Sequence, residues 1–180
     1  MWQLIRRFAR TDFPDEQAPQ AEASWRHETQ QIQQSILDLM GRALCIRQID
    51  AGSCNGCELE IHALNNPYYN IESLGIKFVA SPRHADLLLV TGPVTLNMRA
   101  AVLAAYDATP HPKLVVATGE CACTGGLFGE SYAVCGPLSS ILPVDVTIPG
   151  CPPSPVDLLR GILAACQLRG VTQERTRIDS

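Results

Sequence analysis

The sequence is 180 residues long (19.5 kDa), 46% hydrophobic and 18% charged, with a net charge of −4 from fourteen Lys+Arg against eighteen Asp+Glu. That length suits one domain with a sizeable core, and the acidic balance excludes broad electrostatic binding to nucleic acid. Eight cysteines fall short of the ~8–10% of residues typical of a small disulfide scaffold, so their role is the question the sequence poses.

The chain opens MWQLIRRFAR, with a twin arginine at Arg6 and Arg7. An export signal needs an apolar run of about 7–15 residues next. The chain instead continues TDFPDEQAPQAEAS, so no export signal is expected. Trp2, Leu4, Ile5 and Phe8, with Arg6, Arg7 and Arg10, suit either a short amphipathic anchor at a membrane surface or a tail lying on a partner subunit. Residues 11–24 carry Pro14 and Pro19 and read as a linker, so 1–24 is assigned to an N-terminal tail.

From Ser24, the spacing of Trp25, Ile32, Ile36, Leu39 and Met40 predicts a helix that Gly41 ends. A buried strand is expected over Ala43–Ile49, leading into Gly52-Ser53-Cys54. A helix over Glu58–Leu64 follows, stopped by Asn65-Asn66-Pro67. Ile76–Ala80 and Asp86–Thr91 read as strands, and Asn97–Asp107 as an alanine-rich helix. The strand Lys113–Thr118 runs into Gly119-Glu120-Cys121, and Val144–Ile148 into Pro149-Gly150-Cys151. A last helix, Pro155–Leu168, is expected to stop near Gly170, leaving 171–180 as a C-terminal tail. No run approaches the ~20 apolar residues of a membrane-spanning helix. Strands separated by helix-length segments predict a single α/β domain over 25–170 with a mainly parallel sheet.

Three cysteine-bearing loops follow predicted strands: GSCNGC at 52–57, GECACTGG at 119–126 and PGCPP at 149–153. Carboxyl ends of parallel strands form the binding edge of an open α/β sheet, so Cys54, Cys57, Cys121 and Cys151 are expected on one rim. Four thiolates are enough for a [4Fe–4S] cluster or a tetrahedral zinc site. A structural zinc usually shows two compact C-x2–4-C pairs, whereas here one pair is joined by two single cysteines far along the chain. Spacing alone leaves three readings open: the cluster, a structural zinc, and a thiol-redox or inert set.

GSCNGCELE, GECACTGG and VTIPGCPPSP, in that order, resemble the small electron-transfer subunit shared by [NiFe] hydrogenases and respiratory complex I, over about residues 43–169. The resemblance implies a flavodoxin-like α/β domain holding one [4Fe–4S] cluster, the proximal one that faces the catalytic subunit. The ligands it implies are Cys54 and Cys57 from the first loop, Cys121 from the second and Cys151 from the third. Complex I has adjacent cysteines in the first motif, while this chain has the separated C-x-x-C of hydrogenases. Uptake hydrogenases place a glutamate two residues after the second cysteine, where this chain has Leu59; Glu60, three residues on, matches the complex I pattern. The mixture is similar to the complex-I-related, membrane-bound hydrogenases, including formate hydrogenlyase.

That resemblance sets the functional expectation: an oxidoreductase component with no complete active site of its own, relaying electrons between ferredoxin-type clusters and a nickel–iron site. The implied partners are a [NiFe] or complex-I-like large catalytic subunit, a ferredoxin-like iron–sulfur subunit and membrane-arm subunits, on the cytoplasmic side of the membrane. Two alternatives are carried: a complex-I-like quinone or sulfur reductase, and a non-redox interaction module stabilised by zinc. Glu60 is a candidate for proton coupling or for an ion pair across the subunit interface, and Glu120 faces the same choice. Cys123 is expected to turn its sulfur away by alternation along the chain, and Cys45, Cys135 and Cys166 are expected to be packing residues. His62, His84 and His111 form no ligand set.

Overall fold

The computed structural model describes residues 41–178, with side chains to residue 168, together with Gln30, Gln33 and Gln34. The expected tail over 1–24, and all but those three residues of the expected helix before Gly41, lie outside the described residues. Five strands form one sheet: β1 (Leu44–Asp50), β2 (Ile76–Phe78), β3 (Leu87–Thr91), β4 (Leu114–Thr118) and β5 (Val146–Ile148). All four pairings are parallel, and the order is β2-β1-β3-β4-β5, the flavodoxin-like arrangement expected from the motifs.

The sequences of β3 (LLLVT) and β4 (LVVAT) are buried along their whole length, as strands covered on both faces require. Helices α1 (Gly56–Ala63) and α4 (Pro155–Ile178) cover one face. Ile61 of α1 and Leu158, Leu159, Ile162 and Cys166 of α4 pack there on Leu87, Leu89, Leu114 and Val116. On the other face α2 (Leu96–Ala108) contributes Val102, and the short α3 (Glu120–Thr124) contributes Ala122, against Leu88, Val90, Val115 and Ala117.

Two elements differ from expectation. The segment after Cys121 is a helical turn, α3, rather than a loop. The last helix continues through Gly170 to Ile178. One interior glycine costs only about 1 kcal/mol against alanine, too little to end a helix whose first turns are locked into the core.

Candidate functional site

At the carboxyl edge of the sheet, Asp50 ends β1 and folds the first cysteine loop back on itself. Its Oδ1 accepts the N–H groups of Gly52 (2.8 Å) and Ser53 (2.7 Å). Asn55, in the left-handed region at φ 72°, turns the chain into α1, so Cys54 stands in the turn and Cys57 in the first turn of the helix. The neighbouring strand in the sheet, β3, is followed by Gly92, where an added Cβ would lie 2.5 Å from the backbone nitrogen of Ser53. The close approach of the cysteine loop to β3 therefore depends on glycine at that position.

The other two cysteines arrive from β4 and β5. The N–H of Gly119 donates to Ile148 O and that of Glu120 to Gly150 O, each at 2.8 Å, which ties the start of α3 to the loop carrying Cys151. Cys54, Cys57, Cys121 and Cys151 together wall a cavity of about 100 Å³, completed by Ser53, Glu120, Pro152 and glycine backbone. That is several times the roughly 10–15 Å³ a single water needs. Cys54 and Cys151 are exposed while Cys57 and Cys121 are half-buried, so one side of the ring faces outward. Among the described residues no three His, Cys, Asp or Glu side chains meet closely enough to hold one metal ion. The thiols ring a space instead of converging on a point.

Burial pushes the Cys57 thiol up to about 12, with the carboxylate of Glu58 and then Cys54, Cys121 and Cys151 adding to the rise. The Cys121 thiol is also raised, chiefly by burial and then by Cys151 and Cys54. Ionising these thiols in one place needs a compensating positive charge. A donor set of four soft sulfurs, an apolar wall and close glycine backbone fits a cationic iron–sulfur core.

Cys123 does not line the cavity. Its Sγ points to Ala117 O (3.5 Å) and Ile148 O (3.6 Å), and its thiol is pushed up to about 11 by burial and then by Glu120. Its sulfur turns away because residues two apart on a helix point about 200° from each other, not by strand alternation. Cys123→Ala is expected to leave the iron content and redox signal of the complex at wild-type levels, measured by iron assay and EPR. Cys166 is fully buried and Cys45 nearly so, and Cys135 packs against the α2 side of the core, all in packing positions.

Glu60 is half-buried on α1 but is not part of the cavity wall; the Tyr69 hydroxyl is pushed up by burial, then by Tyr68 and by the Glu60 carboxylate. Glu58, which the motif comparison passed over, is the buried carboxylate of this region at 6% exposure. Its Oε2 accepts from Ser53 Oγ at 2.5 Å and its Oε1 accepts a short bond from Thr91 Oγ1. Glu58 thereby pins the Cys54 loop and the Cys57 helix to the end of β3. The spacing 58, 61, 64 places it on the buried stripe that runs along α1 through Ile61 to the capping residue Leu64, the signal by which it was findable. Glu58→Ala removes the carboxylate that accepts from both hydroxyls, leaving Thr91 only its longer bond to Ile49 O (3.3 Å), and is expected to cost about 2–3 kcal/mol, read as a lower urea midpoint at unchanged slope. Glu120 does line the cavity, and its Oε1 accepts from Thr124 Oγ1 at 2.8 Å.

The sequence pattern of the NADH ubiquinone oxidoreductase 20 kDa subunit family matches residues 54–165, which covers all four cavity cysteines. A probable membrane-bound hydrogenase subunit of Pyrococcus furiosus is 45% identical over 143 residues, 78% of this chain and 86% of that protein. Formate hydrogenlyase subunit 7 of Escherichia coli is 46% identical over 134 residues, 74% of this chain and 52% of that longer protein. Among solved structures, a chain of an archaeal respiratory complex, the membrane-bound sulfane sulfur reductase, superposes with a TM-score of 0.63 at 34% identity, covering 72% of this chain and 71% of that one.

Proposed function

The chain belongs to the NADH ubiquinone oxidoreductase 20 kDa subunit family, and from that premise we propose that it is the electron-transfer small subunit of a multi-subunit, membrane-bound [NiFe] hydrogenase. The observation that carries the reading is the ring of Cys54, Cys57, Cys121 and Cys151 around one cavity at the strand ends. We assign these four as ligands of one [4Fe–4S] cluster, which when bound accepts and donates single electrons. The separated C-x-x-C at 54–57 favours the hydrogenase branch.

The chain's own residues supply the seat and its electrostatics. Each thiol gives up its proton from Sγ on loading, and because burial raises Cys57 to about 12, metal in place of that proton is what stabilises the thiolate at neutral pH. Glu58 and Asp50 hold the first loop, and the backbone bonds of Gly119 and Glu120 hold the second against the third. Burial of Cys57 and Cys121 keeps water from the inner side, while Cys54 and Cys151 face the side from which a partner approaches.

Beyond the second loop the chain exposes Leu127 and Tyr132 at 96% and Phe128 at 54%. Apolar groups this exposed support a covering subunit, which we assign as the large catalytic subunit. A ferredoxin-like subunit and membrane-arm subunits complete the proposed assembly. Among the described residues no helix is long and apolar enough to cross a membrane, which accords with peripheral attachment, proposed to be on the cytoplasmic face.

Similarity to the sulfane sulfur reductase complex favours a second reading, in which the same relay serves a sulfur-reducing partner. Purification of the native complex separates them. A large subunit with two nickel-ligating C-x-x-C pairs and one nickel per complex is expected. A large subunit lacking those pairs and nickel would transfer the chain to the sulfur-reducing branch.

A further inference from the structure

Thr118, the last residue of β4, is fully buried, and among the described residues its Oγ1 is a buried polar atom without a hydrogen-bond partner. A buried hydroxyl left unpaired is costly, and native proteins rarely keep one without a partner such as water, an ion or a bound group. Three observations locate it. Along β4, Leu114 and Val116 lie in the core beneath α1 and α4, while Val115 and Ala117 lie in the other; alternation puts Thr118 in phase with Leu114 and Val116.

Thr118 is also the register partner of Thr91 on β3, so both hydroxyls leave the sheet on the same face. Thr91 Oγ1 reaches the carboxylate of Glu58 on α1. Thr118, one strand further along the sheet, has no such carboxylate. The backbone immediately after it is pressed by Cys57, for a Cβ at Gly119 would stand 2.5 Å from Cys57 Sγ.

Resting on the cluster assignment above, we propose that Thr118, which is not itself part of the cavity wall, donates a hydrogen bond from Oγ1 to the Cys57 sulfur when the cluster is bound and would thereby raise the cluster's reduction potential. Reduction adds one electron to the iron–sulfur core; no bond forms or breaks, and no proton is transferred. The added charge makes the core and thiolate sulfurs better acceptors, so a fixed donor stabilises the reduced form more than the oxidised one. Thr91 has two acceptors within reach, Glu58 Oε1 and Ile49 O, which leaves Thr118 as the threonine of this pair with a donor to give.

The test is an EPR-monitored redox titration of the purified complex, with dithionite supplying the electron. It follows the signal that Cys151→Ala removes. Thr118→Val keeps the side-chain shape and deletes the donor, and Thr118→Ser keeps the donor. The valine variant is expected to lower the equilibrium constant for one-electron reduction about tenfold, which is a shift of ~59 mV to lower potential, with iron content and melting temperature preserved. The serine variant is expected to stay close to wild type. An unchanged or raised potential in Thr118→Val at full iron content would overturn the inference and leave the cluster assignment standing. A wild-type complex with no Cys151-dependent signal would remove both.

Discussion

Replacing Cys151 by alanine is expected to abolish the iron–sulfur signal of this subunit and the electron-transfer activity of the assembled complex, while leaving the fold intact. Cys151 is exposed, so its sulfur contributes little to packing. A surface truncation of this kind moves stability by no more than about 0.5 kcal/mol. What it removes is one of four donors around the cavity, and three thiols leave one side of the ring open. Its loop leads into the start of α4 at Pro155, where Ser154 Oγ accepts from the N–H of Asp157 (3.3 Å) and donates to its carboxylate (2.5 Å). EPR of the reduced complex, with thermal melting of the isolated variant alongside, separates lost ligation from lost fold. A full signal in the variant would remove Cys151 from the ligand set.

Gly119→Ala is expected to damage both the fold and the cysteine site with a single methyl group. Gly119 sits at φ 85°, a region alanine rarely adopts, and its added Cβ would stand 2.5 Å from Cys57 Sγ. Backbone strain and overpacking together are expected to cost about 2–4 kcal/mol. Relief of the contact moves Cys57, so iron content is expected to fall severalfold as well. Gly129→Ala is the control: φ is 51°, but a Cβ there meets nothing within 4 Å. It carries the strain of about 1–2 kcal/mol without the contact, and should lose stability but not iron. Equal iron contents in the two variants would contradict the tight seat of Cys57 against Gly119.

Much of this site was legible before any coordinates. The three cysteine loops each follow an apolar run of strand length, and parallel connectivity alone puts their ends on one edge. That is why Cys54, Cys57, Cys121 and Cys151 were readable as a set from 52–57, 119–126 and 149–153. The details that escaped depend on local conformation. Residues 120–124 read as loop because a single helical turn gives too few residues to show a period, yet that turn decides that Cys121 faces the cavity and Cys123 the carbonyls of Ala117 and Ile148.

The acidic residues show the same limit. Family spacing drew attention to Glu60, whereas burial and two hydroxyl donors single out Glu58, whose partners Ser53 and Thr91 are 5 and 33 residues away in sequence. The Thr91–Glu58 bond exists only once the register of β3 is set, so no local pattern announces it. Thr118 is harder still. Its hydroxyl, unpaired among the described residues, is located only once the register of Thr91 with Thr118 and the burial around both are known.

The proposed role rests on what occupies the four-cysteine cavity. Iron, zinc and acid-labile sulfide measured together on the complex purified without oxygen test it most directly. With the other iron–sulfur subunits accounted for, about four irons and about four sulfides are expected for this chain, all lost on Cys151→Ala. One zinc bound to this chain, with no sulfide, would contradict the electron-relay role.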